Sequence, residues 1–256
     1  MNWVIYTDCL LAISAFGLLG WFVNLARSNV THVDSMWSLF FCLTAYTTAL
    51  FSEGLSTRAA IVIALVTIWA ARLCVYLTWR NWGPHEDLRY AEIRKNNEPY
   101  FWLKSIYIVF GLQALLAWVI SISLYAAIDS NVPIKSLDYL AIILFVFGFI
   151  WEVMADKQLS KFKSNPQNKD KVLNTGVWRY SRHPNYFGEC CIWWSFYLFS
   201  LATGAWWTII SPLLMTLLLL KVSGVSLLEK TIVSRRPAYA EYTRNTNAFI
   251  PGLPKE

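Results

Sequence analysis

The stretch richest in chemistry runs from Thr175 to Glu189 and reads Thr-Gly-Val-Trp-Arg-Tyr-Ser-Arg-His-Pro-Asn-Tyr-Phe-Gly-Glu. Arg179, Arg182 and His183 come just before Pro184, a residue suited to the first turn of a helix. A helix N-terminus beside two guanidiniums is a natural phosphate site. Its free N–H groups and dipole favour an anion, and the planar guanidinium forks bind one with two hydrogen bonds. Glu189 follows Asn185 by four residues, so the two share a helical face inside an apolar run. Membrane anchoring accounts for Trp178 and Tyr180, but it does not account for Asn185 and Glu189 submerged together.

Three further groups stand out. Arg72 lies within an apolar run, four residues before Tyr76 and on the same face. A guanidinium at that depth favours an anion or a carboxylate partner over simple snorkelling. Asp34 and Ser35 open another apolar run, where they read either as a helix N-cap or as site residues. Glu152 and Asp156, at i and i+4, stand where a further run ends, with Lys161 and Lys163 beyond them. They fit a structural ion-pair cluster or the binding of ribose hydroxyls equally well. Some chemistries are excluded. The sequence has no Gly-x-Gly, so a dinucleotide would have to be held by side chains. The five cysteines and three histidines lack metal-ligand spacing, and adjacent Cys190 and Cys191 suit no ordinary disulfide. Nothing resembles a nucleophile elbow.

The elements that must position these groups are apolar. Of 256 residues 56% are hydrophobic and only 15% charged, against about 25% in soluble domains. Fourteen Trp and thirteen Tyr suit a membrane interface. A spanning helix needs ~20 mostly apolar residues. Seven runs approach that length: Trp3–Leu25, Ser35–Phe51, Ala59–Leu77, Ile106–Tyr125, Leu137–Met154, Tyr186–Leu201 and Trp206–Leu220. The sixth and seventh are separated by Ala202–Ala205 alone, so a single re-entrant element is the alternative there. The first run lacks the basic flank of a signal peptide.

With seven spans, 19 of the 22 Lys and Arg fall on one side, and Arg58 and Lys135 on the other. The positive-inside rule then places the N-terminus outside and the C-terminus in the cytoplasm. The expectation is an all-α integral membrane protein, one membrane domain over residues 1–256. Its loops 78–105 and 155–185 and its tail 221–256 form the basic side. Anionic lipid is a simpler partner for that side than nucleic acid.

Several segments resemble the membrane steroid 5α-reductase family, in its bacterial branch. They are Gly176–Glu189, Val33-Asp-Ser-Met-Trp37, Trp69-Ala-Ala-Arg-Leu-Cys-Val-Tyr76, Asp156-Lys-Gln158 with Phe162-Lys163, and Arg236-Pro-Ala-Tyr-Ala-Glu-Tyr242 before Ala248-Phe-Ile-Pro251. The resemblance implies seven spans, a bacterial inner membrane and NADPH bound from the cytoplasmic side. It also implies reduction of the Δ4 double bond of a 3-oxo-steroid or other hydrophobic enone entering from lipid; separately, a monomer is the expectation for the chain. By position it assigns the cofactor to Arg72, Tyr76, Asp156, Lys161, Lys163, Arg179, Tyr180, Arg182, His183, Asn185, Tyr186, Glu189 and Tyr242. In the animal enzymes a Glu and a Tyr hold the 3-oxo group. Here the corresponding stretches offer Asp34-Ser35 and Trp69. Asp34 and Ser35 are therefore the acid candidates, and Tyr76 and Tyr90 the candidates for the tyrosine.

The Arg-His-Pro-x-Tyr-x-Gly core also resembles isoprenylcysteine methyltransferases, which use S-adenosylmethionine, and sterol C14 reductases. The methyltransferases show paired Glu in their last segment, where Leu227-Leu-Glu-Lys230 has one. A small transporter is the non-enzymatic alternative, but it predicts matching interrupted spans that the sequence lacks.

Overall fold

The computed structural model describes residues 1–83, 85–222 and 239–254. Lys230, Arg235, Arg236, Lys255, the Leu227–Lys230 stretch and the start of the Arg236–Tyr242 motif lie outside the described residues.

Among the described residues every regular element is helical. Four helices are long and apolar enough to cross a membrane: α1 (Trp3–Arg27), α3 (Thr57–Arg80), the composite helix Phe101–Ile120 and α8 (Ser136–Ser164). They support a membrane protein, as the composition does. The second and sixth apolar runs also form helices, α2 (Val33–Phe51) and α9 (Pro184–Ala202). Both carry polar residues along their length, Asp34, Ser35 and Thr48 in one, Asn185 and Glu189 in the other. The seventh run is a shorter apolar helix, Trp206–Lys221, made of a 3₁₀ turn, α10 (Ile210–Leu217) and a π segment. Large apolar side chains stay exposed along α1 (Leu11, Leu19, Phe22) and α8 (Leu140, Ile143, Ile150). Water would disfavour such faces, and lipid tails suit them.

The chain divides into two compact units, Met1–Lys135 with Phe199–Thr208, and Ser136–Leu198 with Ile209–Glu256. In the first, α1, α2 and α3 pack in sequence against the composite helix and α7 (Ile122–Ile128). One end of this bundle is tied by Tyr125, which accepts the Asn2 amide at 2.6 Å and donates to Asp129 at 2.6 Å, while Ser52 donates to Asp129 at 3.0 Å. Fully buried Arg58 donates to the Val132 and Pro133 carbonyls at 2.6 and 2.9 Å at that same end. The opposite end joins the α1–α2 turn to the segment after α3, through Glu86, Asp87 and Arg94. Successive helices therefore alternate in direction within this unit.

Two local features depart from expectation. The segment Thr78–Ser105 is not simply a loop, since it contains α4 (Leu88–Asn97), N-capped by Asp87, whose carboxylate accepts the Arg89 amide at 2.9 Å. The fourth apolar run is broken as well. α5 (Phe101–Ser105) passes into a π turn, Ile106–Gly111, then into α6 (Leu112–Ile120), and Ser121 separates α6 from α7.

The second unit is built on α8 and α9. They touch backbone to backbone where Gly148 faces Gly188. A Cβ on Gly188 would lie 2.7 Å from the Gly148 carbonyl oxygen and 2.8 Å from the Glu152 nitrogen. α8 continues ten residues past its apolar run, and its polar end receives the segment that follows. Gln158 accepts the Val177 amide at 3.0 Å beneath Gly176, which has φ +61°, and Trp178 Nε1 donates to the Ala155 carbonyl at 3.1 Å. Ala155, Val177 and Trp178 form a small buried cluster there.

Candidate functional site

In the first unit the sequence candidates Asp34 and Tyr90 meet. Asp34 lies in the first turn of α2, whose N-cap position is held by His32 without a side-chain bond, so the capping reading of Asp34 gives way. Its carboxylate instead accepts the Tyr90 hydroxyl at Oδ1, 2.6 Å, and Arg89 Nη2 at Oδ2, 2.7 Å. Arg89 also reaches Asp87, through Nε at 3.0 Å. Gln113, from α6, donates its amide N–H to the Tyr90 oxygen at 3.0 Å. Five side chains, from α2, α6 and α4 with its N-cap, are thus joined in one chain of hydrogen bonds.

The electrostatics follow from burial. Tyr90 is 7% exposed. Burial, then the Asp34 charge and hydrogen bond, push its phenol well above the usual range, against smaller opposing effects of Arg89 and Gln113. Burial alone would favour neutral Arg89, but Asp34 and Asp87 outweigh it and hold the guanidinium charged. The group is a protonated tyrosine pressed against a carboxylate whose negative charge a guanidinium balances.

The remaining first-unit candidates are placed differently. Ser35 accepts the Thr78 hydroxyl at 2.9 Å and lines a small open cavity with Arg27, Thr31, His32 and Trp82. Arg72 lies over the Tyr76 ring at 5.2 Å, and Arg80 over the same ring at 5.8 Å. The i, i+4, i+8 spacing makes this stripe.

A second clamp holds α4 in place. Glu86 accepts Arg94 through both oxygens, at 2.8 and 2.9 Å, and the Val30 amide at 3.0 Å. Arg94 also donates to the Ser28 carbonyl at 3.0 Å, and the Asp87 amide donates to Thr31 at 2.9 Å. Burial raises the Glu86 pKa, but the Arg94 bonds, the Val30 amide and the Arg94 charge together outweigh it, and the net shift is downward. The resulting stability is complete above the ordinary glutamate pKa, about 4.3, and is lost as pH falls through the lowered folded value. Thermal midpoints in detergent between pH 6 and pH 3 should therefore drop for the wild type. Glu86→Gln should flatten the drop while lowering stability at pH 6 by about 1–2 kcal/mol. An equal drop in both proteins counts against the clamp.

In the second unit the crossing of α8 and α9 buries four polar residues in sequence-predicted positions: Glu152, Asp156, His183 and Glu189, all at most 9% exposed. Asn185 Nδ2 donates to Asp156 at 3.3 Å, and the His183 and Tyr186 rings stack in parallel at 5.7 Å. Lys161, Lys163, Arg179 and Tyr180 are exposed. Arg182 and Tyr242 are engaged in tying down the tail. Arg182 Nη1 donates to the Thr243 and Thr246 carbonyls at 3.1 and 2.7 Å, and Tyr242 donates to the carbonyls of Trp178 and Ser181. Ser181 adds a bond to the Phe249 carbonyl at 2.7 Å.

The residues missed by sequence reasoning are Arg89, Gln113 and the Glu86–Arg94 pair. Gln113 carried a usable signal, being a lone amide in an apolar run. The others sit in a segment with no apolar periodicity, where contacts across more than fifty residues leave no pattern.

A family profile described as "Protein of unknown function (DUF1295)" matches residues 20–246. The chain belongs to the DUF1295 family. The DUF1295 match takes in all three helices that build the Asp34–Tyr90 network and the whole Gly176–Glu189 stretch. Such membership is steroid 5α-reductase-like and compatible with a membrane enzyme of the reductase or methyltransferase kind. This DUF1295 protein is also similar to the "Uncharacterized protein C594.04c" of Schizosaccharomyces pombe. The two are 29% identical over 265 residues, covering 91% of this chain and 76% of the other.

Proposed function

We propose that this protein is an NADPH-dependent reductase of the Δ4 double bond in 3-oxo-Δ4-steroids or other conjugated enones that enter from lipid. The observation that carries the reading is the 2.6 Å bond from Tyr90 to Asp34, backed by Arg89. An enone accepts hydride at the carbon β to its carbonyl, and negative charge then collects on the carbonyl oxygen. A buried, protonated tyrosine is the group to donate to that oxygen, its hydroxyl turning from Asp34 to the substrate as it does so, and stabilising such developing charge is the largest task of a site of this kind. Asp34 and Arg89 hold the phenol in place, and the Arg89 guanidinium offsets part of the Asp34 charge. Tyr90 and Asp34 thereby take the tyrosine and acid roles among the sequence candidates. Tyr76, in contact with both Arg72 and Arg80, joins the cationic stripe instead.

The residues of the second unit suit a dinucleotide chemically. Exposed Lys161, Lys163 and Arg179 are donors for phosphates, and Asp156 with Asn185 can bond ribose hydroxyls or an amide. NADPH, when bound, would supply the hydride. Arg182 and Tyr242 act by fixing the tail that frames this region. The topology proposed with this reading has seven spans, the N-terminus outside, and the basic ends in the cytoplasm of a bacterial inner membrane. Alternating helix directions in the first unit support it.

The test is to incubate purified protein with NADPH and a Δ4-3-oxo-steroid and identify the product, while measuring heats of binding for NADPH and S-adenosylmethionine. Saturation of the Δ4 bond, with 5α stereochemistry, is the expected product. Tight S-adenosylmethionine binding without NADPH binding would replace this reading with a methyltransferase.

A further inference from the structure

The Tyr90 phenol has a single proton, and at 2.6 Å that proton is given to Asp34. Its oxygen can then only accept from Gln113, which fixes the orientation of the amide: the NH₂ faces Tyr90 and Oε1 faces away. In that orientation Oε1 is buried and, among the described residues, has no hydrogen-bond partner. A buried acceptor left in this state is costly. An apolar side chain of similar length would remove that cost, and Tyr90 would keep its bond to Asp34. Gln113 is therefore poorly explained as a packing residue.

We propose that Gln113 is a positioning residue for the tyrosine acid, with its amide N–H held ready for the charge that appears on the Tyr90 oxygen as the proton leaves. The inference rests on the reductase reading above. When the phenol hydroxyl turns from Asp34 and its proton moves to the enolate oxygen, the phenol O–H bond breaks and its electron pair remains on Tyr90. The enol so formed becomes the saturated ketone by taking a proton from solvent at the α carbon and returning the one on oxygen to Tyr90. The groups facing that oxygen are the Asp34 carboxylate, which repels the new charge, and the Gln113 amide, which stabilises it; Arg89 lies beside the ring, 5.5 Å from its centre. The amide is the neutral donor aimed directly at the atom, as in an oxyanion hole one step removed from substrate.

Gln113→Met in the full chain in detergent should lower kcat on the order of 10- to 100-fold, less than removing a donor that touches the oxyanion itself. KM should change by less than about twofold, since substrate does not touch the amide. The thermal midpoint should stay at or above the wild-type value. A packing role predicts the reverse, a lowered midpoint with kcat per folded molecule unchanged, and that result overturns the proposal. Gln113→Glu should retain activity only on the acid side, where the new carboxyl can donate. It should lose activity as pH rises through its titration, a limb absent from the wild type.

A separate arm needs no activity. In protein labelled with ¹³C at the tyrosine Cζ, the Tyr90 resonance, assigned with Tyr90→Phe, should move in Gln113→Met. If the wild type reduces no enone, that shift still supports the contact and the reductase reading alone fails. An unmoved resonance overturns the proposal whatever the enzyme does.

Discussion

Tyr90→Phe is expected to slow enone reduction by about 100- to 10,000-fold, the range for loss of a positioned general acid. The ring remains, so the packing around this buried position persists, and Arg89 still holds Asp34 at 2.7 Å. NADPH affinity should be unchanged and kcat should carry the whole loss, because the missing bond matters when charge develops on the substrate oxygen. Single-turnover rates at saturating cofactor, followed at the nicotinamide absorbance, measure this. A variant within about threefold of wild type would remove Tyr90 from the chemistry. The same assay on Ser35→Ala and Tyr76→Phe ranks the other candidates.

The second large effect lies in the other unit. Gly188→Leu places a branched side chain where even a Cβ would meet the Gly148 oxygen at 2.7 Å and the Glu152 nitrogen at 2.8 Å. Those are backbone atoms, which no rotamer change can move aside, so the helices must separate. A destabilisation of about 3 kcal/mol, the upper part of the usual overpacking range, is expected. Unfolding in detergent, monitored by cysteine labelling of buried Cys190 and Cys191, should show a clearly lower midpoint. Leu213, by contrast, is half exposed on an apolar face, and Leu213→Ile should leave that midpoint nearly unchanged. If Gly188→Leu matched wild type, the close approach of α8 and α9 would be wrong.

How much of this was legible beforehand differs by element. α1, α3 and α8 announce themselves through long apolar runs, since lipid demands one continuous stretch per span. α2 and α9 were visible as positions and harder as spans, because their buried Ser38, Thr44, Glu189 and Ser195 dilute the apolar signal. α4 was not foreseen. It is polar, short and held by Glu86, Arg94 and Asp87, none of which produces periodicity. The Asp34–Tyr90 contact spans 56 residues of sequence. The two residues were named separately, and only folding α4 against α2 and α6 makes them a pair. In the second unit the motif Gly176–Glu189 reads from sequence as a ligand-binding stretch. Arg182 and Ser181 within it also carry bonds that tie down the tail, a duty that spacing alone does not reveal.

The π turn at Ile106–Gly111 has a bearing on all of this that is rotational. Each residue of an α-helix advances its side chain by about 100° around the axis, and a π turn inserts one more residue than the α-helical count. α6 is therefore indexed one position out of phase with α5, like a gear slipped by one tooth. That offset is what brings Gln113, two residues beyond the turn, around to the side where Tyr90 waits. A strictly regular helix with the same composition would turn the amide away by more than a quarter of a revolution, while leaving the apolar run as suited to lipid as before.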